Sequence, residues 1–159
     1  MKRKKMKARF SNYLKKKRLL VHKGESDFYH FDYTKYGEPV LMAIPDSDEN
    51  GLTIQLIYTD LLKFYRATFL GNFIADQLVI GDVRVLNEPS YAPKFKKPYG
   101  KGYGTLLMDY ALEEAKKRGA ASVTGERVSF DEKQKNRQIQ YYARFGFNID
   151  SENMLFKKL

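Results

Sequence analysis

The sequence predicts a single domain of the α/β class, more narrowly α+β. Three observations carry this. Residues 27–86 read as successive strands divided by turn-forming residues, and residues 104–157 alternate helical and extended patterns. No linker or internal repeat interrupts the 159 residues, a length that suits one domain with a sizeable core.

The elements follow in order. Phe10, Tyr13, Leu14 and Val21 recur at roughly helical spacing, which predicts a helix from about Arg9. Met1 to Ala8 holds little apolar material and is expected to fray. Asp27–Thr34 alternates aromatic and polar residues as a strand does, and Pro39–Ile44 is a short apolar run stopped by Pro45. An acidic turn is expected over Asp46–Gly51, strands over Leu52–Thr59 and Leu62–Leu70, and a reversal at Gly71-Asn72. Phe73–Leu86 reads as one long extended stretch, with Gly81 marking a bulge or a close backbone approach. A polar, proline-containing loop, Asn87–Pro98, comes next. Gly104–Arg118 is the clearest helix: Leu106, Leu107, Tyr110, Ala111 and Ala115 form one apolar face, and Gly119 supplies the stop. A strand over Ala120–Phe130, a helix over Asp131–Phe145 closed by Gly146, and a strand pair (Phe147–Asp150 and Met154–Lys157) complete the chain.

Charge is concentrated at one end. The net charge is +10, from 29 Lys plus Arg against 19 Asp plus Glu. Residues 1–18 hold ten cations and no acid, so the remaining 19 cations match the 19 acids. The chain therefore divides into a basic N-terminal segment, 1–18, and a neutral domain, 19–159. The segment is either a solvated tail or a nucleic-acid contact, and many tyrosines keep open a nucleic-acid-binding module as an alternative function.

Several chemistries are excluded. No cysteine means no disulfide, thiolate nucleophile or Cys-ligated zinc. His22 and His30 lack further ligands at metal-binding spacing, read as surface or strand-edge residues, and leave no metal site expected. A Gly-x-Ser-x-Gly hydrolase turn is missing. No apolar run approaches a membrane span, and Leu19-Leu20-Val21 is too short for a secretory core, so a cytoplasmic protein without membrane contact is expected.

The informative segment is Tyr99-Gly100-Lys101-Gly102-Tyr103-Gly104-Thr105, three alternate glycines opening into the clearest helix. Glycine backbone with the unpaired N–H groups of a helix start makes an anion site suited to phosphate or pyrophosphate, with Lys101 and Lys97 at its rim. A nucleoside-triphosphate loop is excluded because Lys101 is followed by Gly102 rather than Ser or Thr. The dinucleotide fingerprint fails by one residue at Gly104.

Gly-Lys-Gly-Tyr-Gly-Thr-Leu-Leu leading into a helix that ends Lys-Lys-Arg-Gly resembles the acetyl-CoA-binding motif of the GNAT N-acetyltransferases. Tyr99-x-x-Gly102-x-Gly104 occupies that family's Arg/Gln-x-x-Gly-x-Gly/Ala. Tyr142-Ala143-Arg144-Phe145-Gly146-Phe147 resembles its second element, Tyr-x-x-x-Gly-Phe. The resemblance covers residues 77–159 and is specific as a combination. Tyr99 replaces the motif's Arg or Gln, the loop from Leu86 to Tyr99 is longer than usual, and the second helix has Lys135, with Asn136 one step off, where Asn is common.

The resemblance implies a GNAT-like central sheet, mixed but mostly antiparallel, with flanking helices and a V-shaped splay between the two central strands. It implies acetyl-CoA as cosubstrate and direct acetyl transfer to a primary amine in a ternary complex, by a monomer or homodimer. Val83 and Val85 would contact pantetheine, and Tyr99, Gly100, Lys101, Gly102, Tyr103, Gly104 and Thr105 would bind the phosphates. Tyr142 would protonate the departing thiolate. By position, Asp82 and Glu126 are the candidates for a base.

Overall fold

The computed structural model describes residues 3–16, 29–44, 50–60, 63–85, 100–129 and 131–159. His22, the acidic turn at 46–49, the loop at 87–98 and Tyr99 lie outside them.

Three helices and eight strands are present among the described residues: α1 Arg3–Lys16, β1 Tyr29–Tyr33, β2 Pro39–Ala43, β3 Gly51–Asp60, β4 Lys63–Ile74, β5 Gln77–Arg84, α2 Tyr103–Lys117, β6 Ser122–Glu126, α3 Glu132–Arg144, β7 Asn148–Ile149 and β8 Met154–Lys158. The strands form one sheet in the order β1-β2-β3-β4-β5-β6-β8-β7. Only β5 and β6 run parallel, joined by α2 as the crossover that parallel neighbours require. All other pairs are antiparallel, giving the mixed, mostly antiparallel sheet expected.

The splay is visible in the pairing. β5 bonds β6 only over Gln77–Ile80, whereas its pairing with β4 runs on to Arg84. Between these two stretches the β4–β5 register slips, so that Ile80 faces Gly71 and Asp82 faces Leu70, leaving Gly81 as the extra residue. The expected bulge at Gly81 is thus present, and it turns β5 away from β6.

Helices cover the two faces of the sheet unequally. Tyr103, Leu107, Ala111 and Ala115 form an i, i+4 row on α2 that tapers from large to small, packing with Val40, Met42, Ile54, Leu56, Phe69 and Leu78. On β2 and β3 the alternate residues Leu41 and Ile57 face the other way, where α1 lies with Phe10 buried among Phe31, Phe64 and Tyr13. Full burial of Phe10 contributes about 1.5–3 kcal/mol.

The helix at the N-terminus corrects the sequence reading. It starts at Arg3, not Arg9, because docking of Phe10 and Met6 on the sheet stabilises a turn that composition alone does not. The reversal expected at Gly71-Asn72 is also misplaced: β4 runs through to Ile74, and the chain turns at Ala75-Asp76, with Ala75 at φ 53°. Gly71 is small for a packing reason, since a Cβ there would meet Leu78, Phe69 and the Val79 carbonyl at 3.0 Å. The strand expected over Ala120–Phe130 shortens to Ser122–Glu126, the length that β8 pairs.

Candidate active site

A cleft of about 820 Å³ opens where β5 and β6 part. Its walls are β5 from Gly81 to Arg84 with Val85 just beyond, Gly100 and the helix start from Gly102 to Thr105, and one face of α3 from Gln134 to Arg144. Two elements singled out for different reasons, the glycine loop and the Tyr-x-x-x-Gly-Phe segment, therefore meet at one place.

The glycine loop forms the start of α2. Gly102 caps the helix at φ 85°, ψ 8°, without any side-chain cap, and Gly100 sits at φ 79°. The first intrahelical bond runs from Leu106 N–H to the Gly102 carbonyl, so the N–H groups of the first turn precede the ladder. With their dipole they favour an anion in the cleft. Gly102 is also held close: a Cβ there would come 3.1 Å from Thr34 Cβ and 3.3 Å from Tyr36.

Each expected site residue can be placed except Tyr99. Gly100, Gly102, Gly104 and Thr105 line the cleft, as do Val83 and Val85. Tyr103 lines it too, but its ring is buried and stacks on Tyr58 with centroids 4.2 Å apart, so its side chain serves the core. The Tyr58 hydroxyl in turn donates to the Val85 carbonyl at 3.0 Å, fixing the strand end past the splay. Lys101 is absent from the lining and pairs with Glu38 at 3.1 Å. Of the two carboxylates, Asp82 lines the cleft and pairs with Arg84 at 2.9 Å, whereas Glu126 is exposed and outside the lining.

Tyr142 is buried, with its ring edge-on to Tyr141 at 5.0 Å and Phe147 at 5.5 Å. The spacing of its motif has a local cause. Gly146, at φ 80°, ends α3 and folds the chain back, so that the Tyr142 carbonyl accepts from both Phe145 and Phe147 N–H groups. Burial, with a smaller contribution from the Asp82 charge, pushes the Tyr142 hydroxyl up to about 12. It therefore keeps its proton at neutral pH. The neighbouring Tyr141 hydroxyl donates to the Gly104 carbonyl at 2.7 Å and ties α3 to the start of α2.

Among the described residues, Lys35, Arg84, Arg137 and Arg144 also line the cleft, against the single carboxylate Asp82. Sequence reasoning missed this cationic lining because its members come from a β-hairpin turn, a strand and a helix far apart in the chain. The only legible hint was Arg137 and Arg144 recurring seven residues apart on α3. Among the described residues no cluster of His, Asp or Glu is placed to hold a metal ion.

The same arrangement of sheet and helices recurs in a solved variant of a cAMP-binding acyltransferase from Mycobacterium smegmatis. The likeness covers 84% of this chain and 48% of that one, with a TM-score of 0.56 and 12% identity. The chain has the GNAT fold. A PaiA N-acetyltransferase from Thermoplasma acidophilum, solved with coenzyme A, aligns over 69% of this chain and 62% of its own at 18% identity and TM-score 0.47. In sequence, the uncharacterised protein YocC of Bacillus subtilis is 24% identical over 122 residues, 74% of this chain and 65% of YocC. No family model matches the chain. Within the GNAT fold described here, the open strand edge, the helix start and Tyr142 all border the splay.

Proposed function

We propose that this protein is an acetyl-CoA-dependent N-acetyltransferase that passes the acetyl group directly to a primary amine. The observation that carries the reading is the convergence of three unlike features on one cleft: the β5 edge beyond Ile80, the α2 start and Tyr142.

Each feature suits one part of the cosubstrate. The first-turn N–H groups of α2 and the cations Arg137 and Arg144 offer a seat for the pyrophosphate. Val83 and Val85 present apolar side chains and an edge that β6 does not pair, suited to the amide-bearing pantetheine arm. In the transfer, the amine nitrogen attacks the thioester carbonyl carbon and the carbon–sulfur bond breaks. The sulfur leaves as a thiolate and takes the Tyr142 hydroxyl proton; the nitrogen, now part of the amide, gives up its own surplus proton to solvent, and solvent reprotonates Tyr142. General acid help of this kind contributes about 10²–10⁴-fold. The acceptor must first shed a proton, since an alkylammonium has a reference pKa of about 10.4. Asp82, the one carboxylate among the described residues that line the cleft, is the group proposed to take it, directly or through water.

An acetyl-CoA-consumption assay across classes of primary amine tests the reading. At least one class should give turnover that Tyr142→Phe lowers by about a hundredfold or more while coenzyme binding is kept. Turnover indifferent to Tyr142→Phe would remove the tyrosine from the mechanism.

A further inference from the structure

We propose that α1 and the adjoining sheet face form a nucleic-acid-binding surface that ends at the cleft. This inference does not rest on acetyl transfer, because it concerns binding alone.

α1 is a docked helix, not a free tail, and docking fixes which face it shows. Phe10 is buried against Leu41 and Ile57, with Met6 and Tyr13 packed beside it. Lys4, Lys5, Lys7, Ala8, Ser11 and Asn12 are therefore the exposed positions. The sequence repeats the leading pair eleven residues on as Lys15-Lys16, about three helical turns away. On the exposed side between the two pairs stand Lys7, Ala8, Ser11 and Asn12, one further cation with small or polar residues that let helix backbone come near a phosphate chain and supply Ser and Asn donors to it. Lys7 and Arg9 lean over the Phe31 and Phe64 rings, so their stems add to the docking.

The charge continues onto the sheet. Arg66 is exposed and lies opposite Ile57, on the face that α1 covers. Two residues on, Thr68 pairs Arg84, which shares that face and lines the cleft. Arg66 and Arg84 thus share the sheet face on which α1, with Lys4 and Lys5 exposed, is docked. Asp82, opposite Leu70 on the same face, is the carboxylate that meets this surface where it reaches the cleft, and it pairs with Arg84 at 2.9 Å.

Local stability does not explain the pattern. The first turn of α1 carries Arg3, Lys4 and Lys5 and no acid, where the helix dipole disfavours cations. A bound phosphate reverses that penalty. A membrane surface is a poorer partner because Met6, Phe10 and Tyr13 are already used against the sheet and, among the described side chains of α1, no large apolar one is exposed.

Fluorescence anisotropy of the full chain with a labelled RNA duplex, across about 50 to 200 mM salt, tests the surface. Four phosphate contacts predict about a 150-fold loss of affinity over that range. Lys4→Gln/Lys5→Gln/Arg66→Gln should lower the log–log salt slope by about 2–3 with the unfolding midpoint kept. Arg66→Gln alone, on a strand, should lower it by about 1 and guards against loss of the helix. No binding at low salt, or binding that both variants leave unchanged, overturns the proposal. Tighter binding to poly-glutamate or to anionic phosphatidylserine vesicles than to RNA overturns it in favour of those partners.

Discussion

Gly100 and Gly102 have similar backbone angles but very different surroundings, which yields a quantitative prediction. Both lie in the left-handed region, at φ 79° and 85°. Alanine at either position takes on a conformation that costs about 1–2 kcal/mol. At Gly100 nothing lies within 4 Å of the added Cβ, so that is the whole cost. At Gly102 the Cβ meets Thr34 at 3.1 Å. Thr34 cannot yield cheaply: it is buried, its N–H donates to the Glu38 carbonyl at 2.9 Å, and its hydroxyl oxygen accepts from Tyr36 and Glu38 N–H groups. Overpacking of this kind adds about 1–3 kcal/mol. For a chain of this size about 1 kcal/mol lowers Tm by about 2–4 °C. Gly100→Ala should therefore lower Tm by about 2–8 °C and Gly102→Ala by about 4–20 °C, the latter with loss of coenzyme A affinity. Gly100→Asn should recover part of the alanine loss, since asparagine tolerates this region. Thermal unfolding followed by circular dichroism reads all three. Equal losses at the two glycines, or a neutral Gly102→Ala, would refute the steric argument.

Other outcomes follow from the same geometry. Asp82→Asn should lower turnover on amines and restore part of it at higher pH, where more acceptor is already neutral; a flat pH–rate comparison with the wild type argues against Asp82 as base. Arg137→Ala and Arg144→Ala should each weaken coenzyme A binding by about 10–100-fold and leave the binding of pantetheine, which carries no phosphate, unaffected. The Tyr142 hydroxyl titrates near 12 when folded, raised by burial and then by Asp82, against an ordinary 10.0. Unfolded chains lose that proton first, so its contribution is whole below pH 10 and fades up to pH 12, by about 2–3 kcal/mol. Denaturant titrations in that window should show a shallower decline for Tyr142→Phe than for the wild type.

The contrast between legible and illegible features is physical. α2 could be read to within a residue because one i, i+4 apolar row and a terminal glycine encode it locally. The bulge at Gly81 was legible for a similar reason, a lone glycine inside an extended apolar run. Gly71 misled because composition does not separate a glycine that turns from one that makes room for Leu78 and Phe69. The extent of α1 was hidden because it depends on Phe31 and Phe64 arriving from β1 and β4. Motif spacing brought Tyr142 and the glycine loop into the reading, yet the cleft's cations emerged only when Lys35, Arg84 and α3 were brought together by the fold. Lys101, adjacent to the loop in sequence, is drawn off by Glu38 instead.

The central claim is that the α2 start and the splayed β5 edge hold coenzyme A. Calorimetric titration of coenzyme A into the full chain, repeated on Gly102→Val, tests it most directly. The account predicts saturable binding by the wild type and none by the variant. No heat and no thermal shift for the wild type at millimolar coenzyme, or equal binding by both proteins, would contradict it.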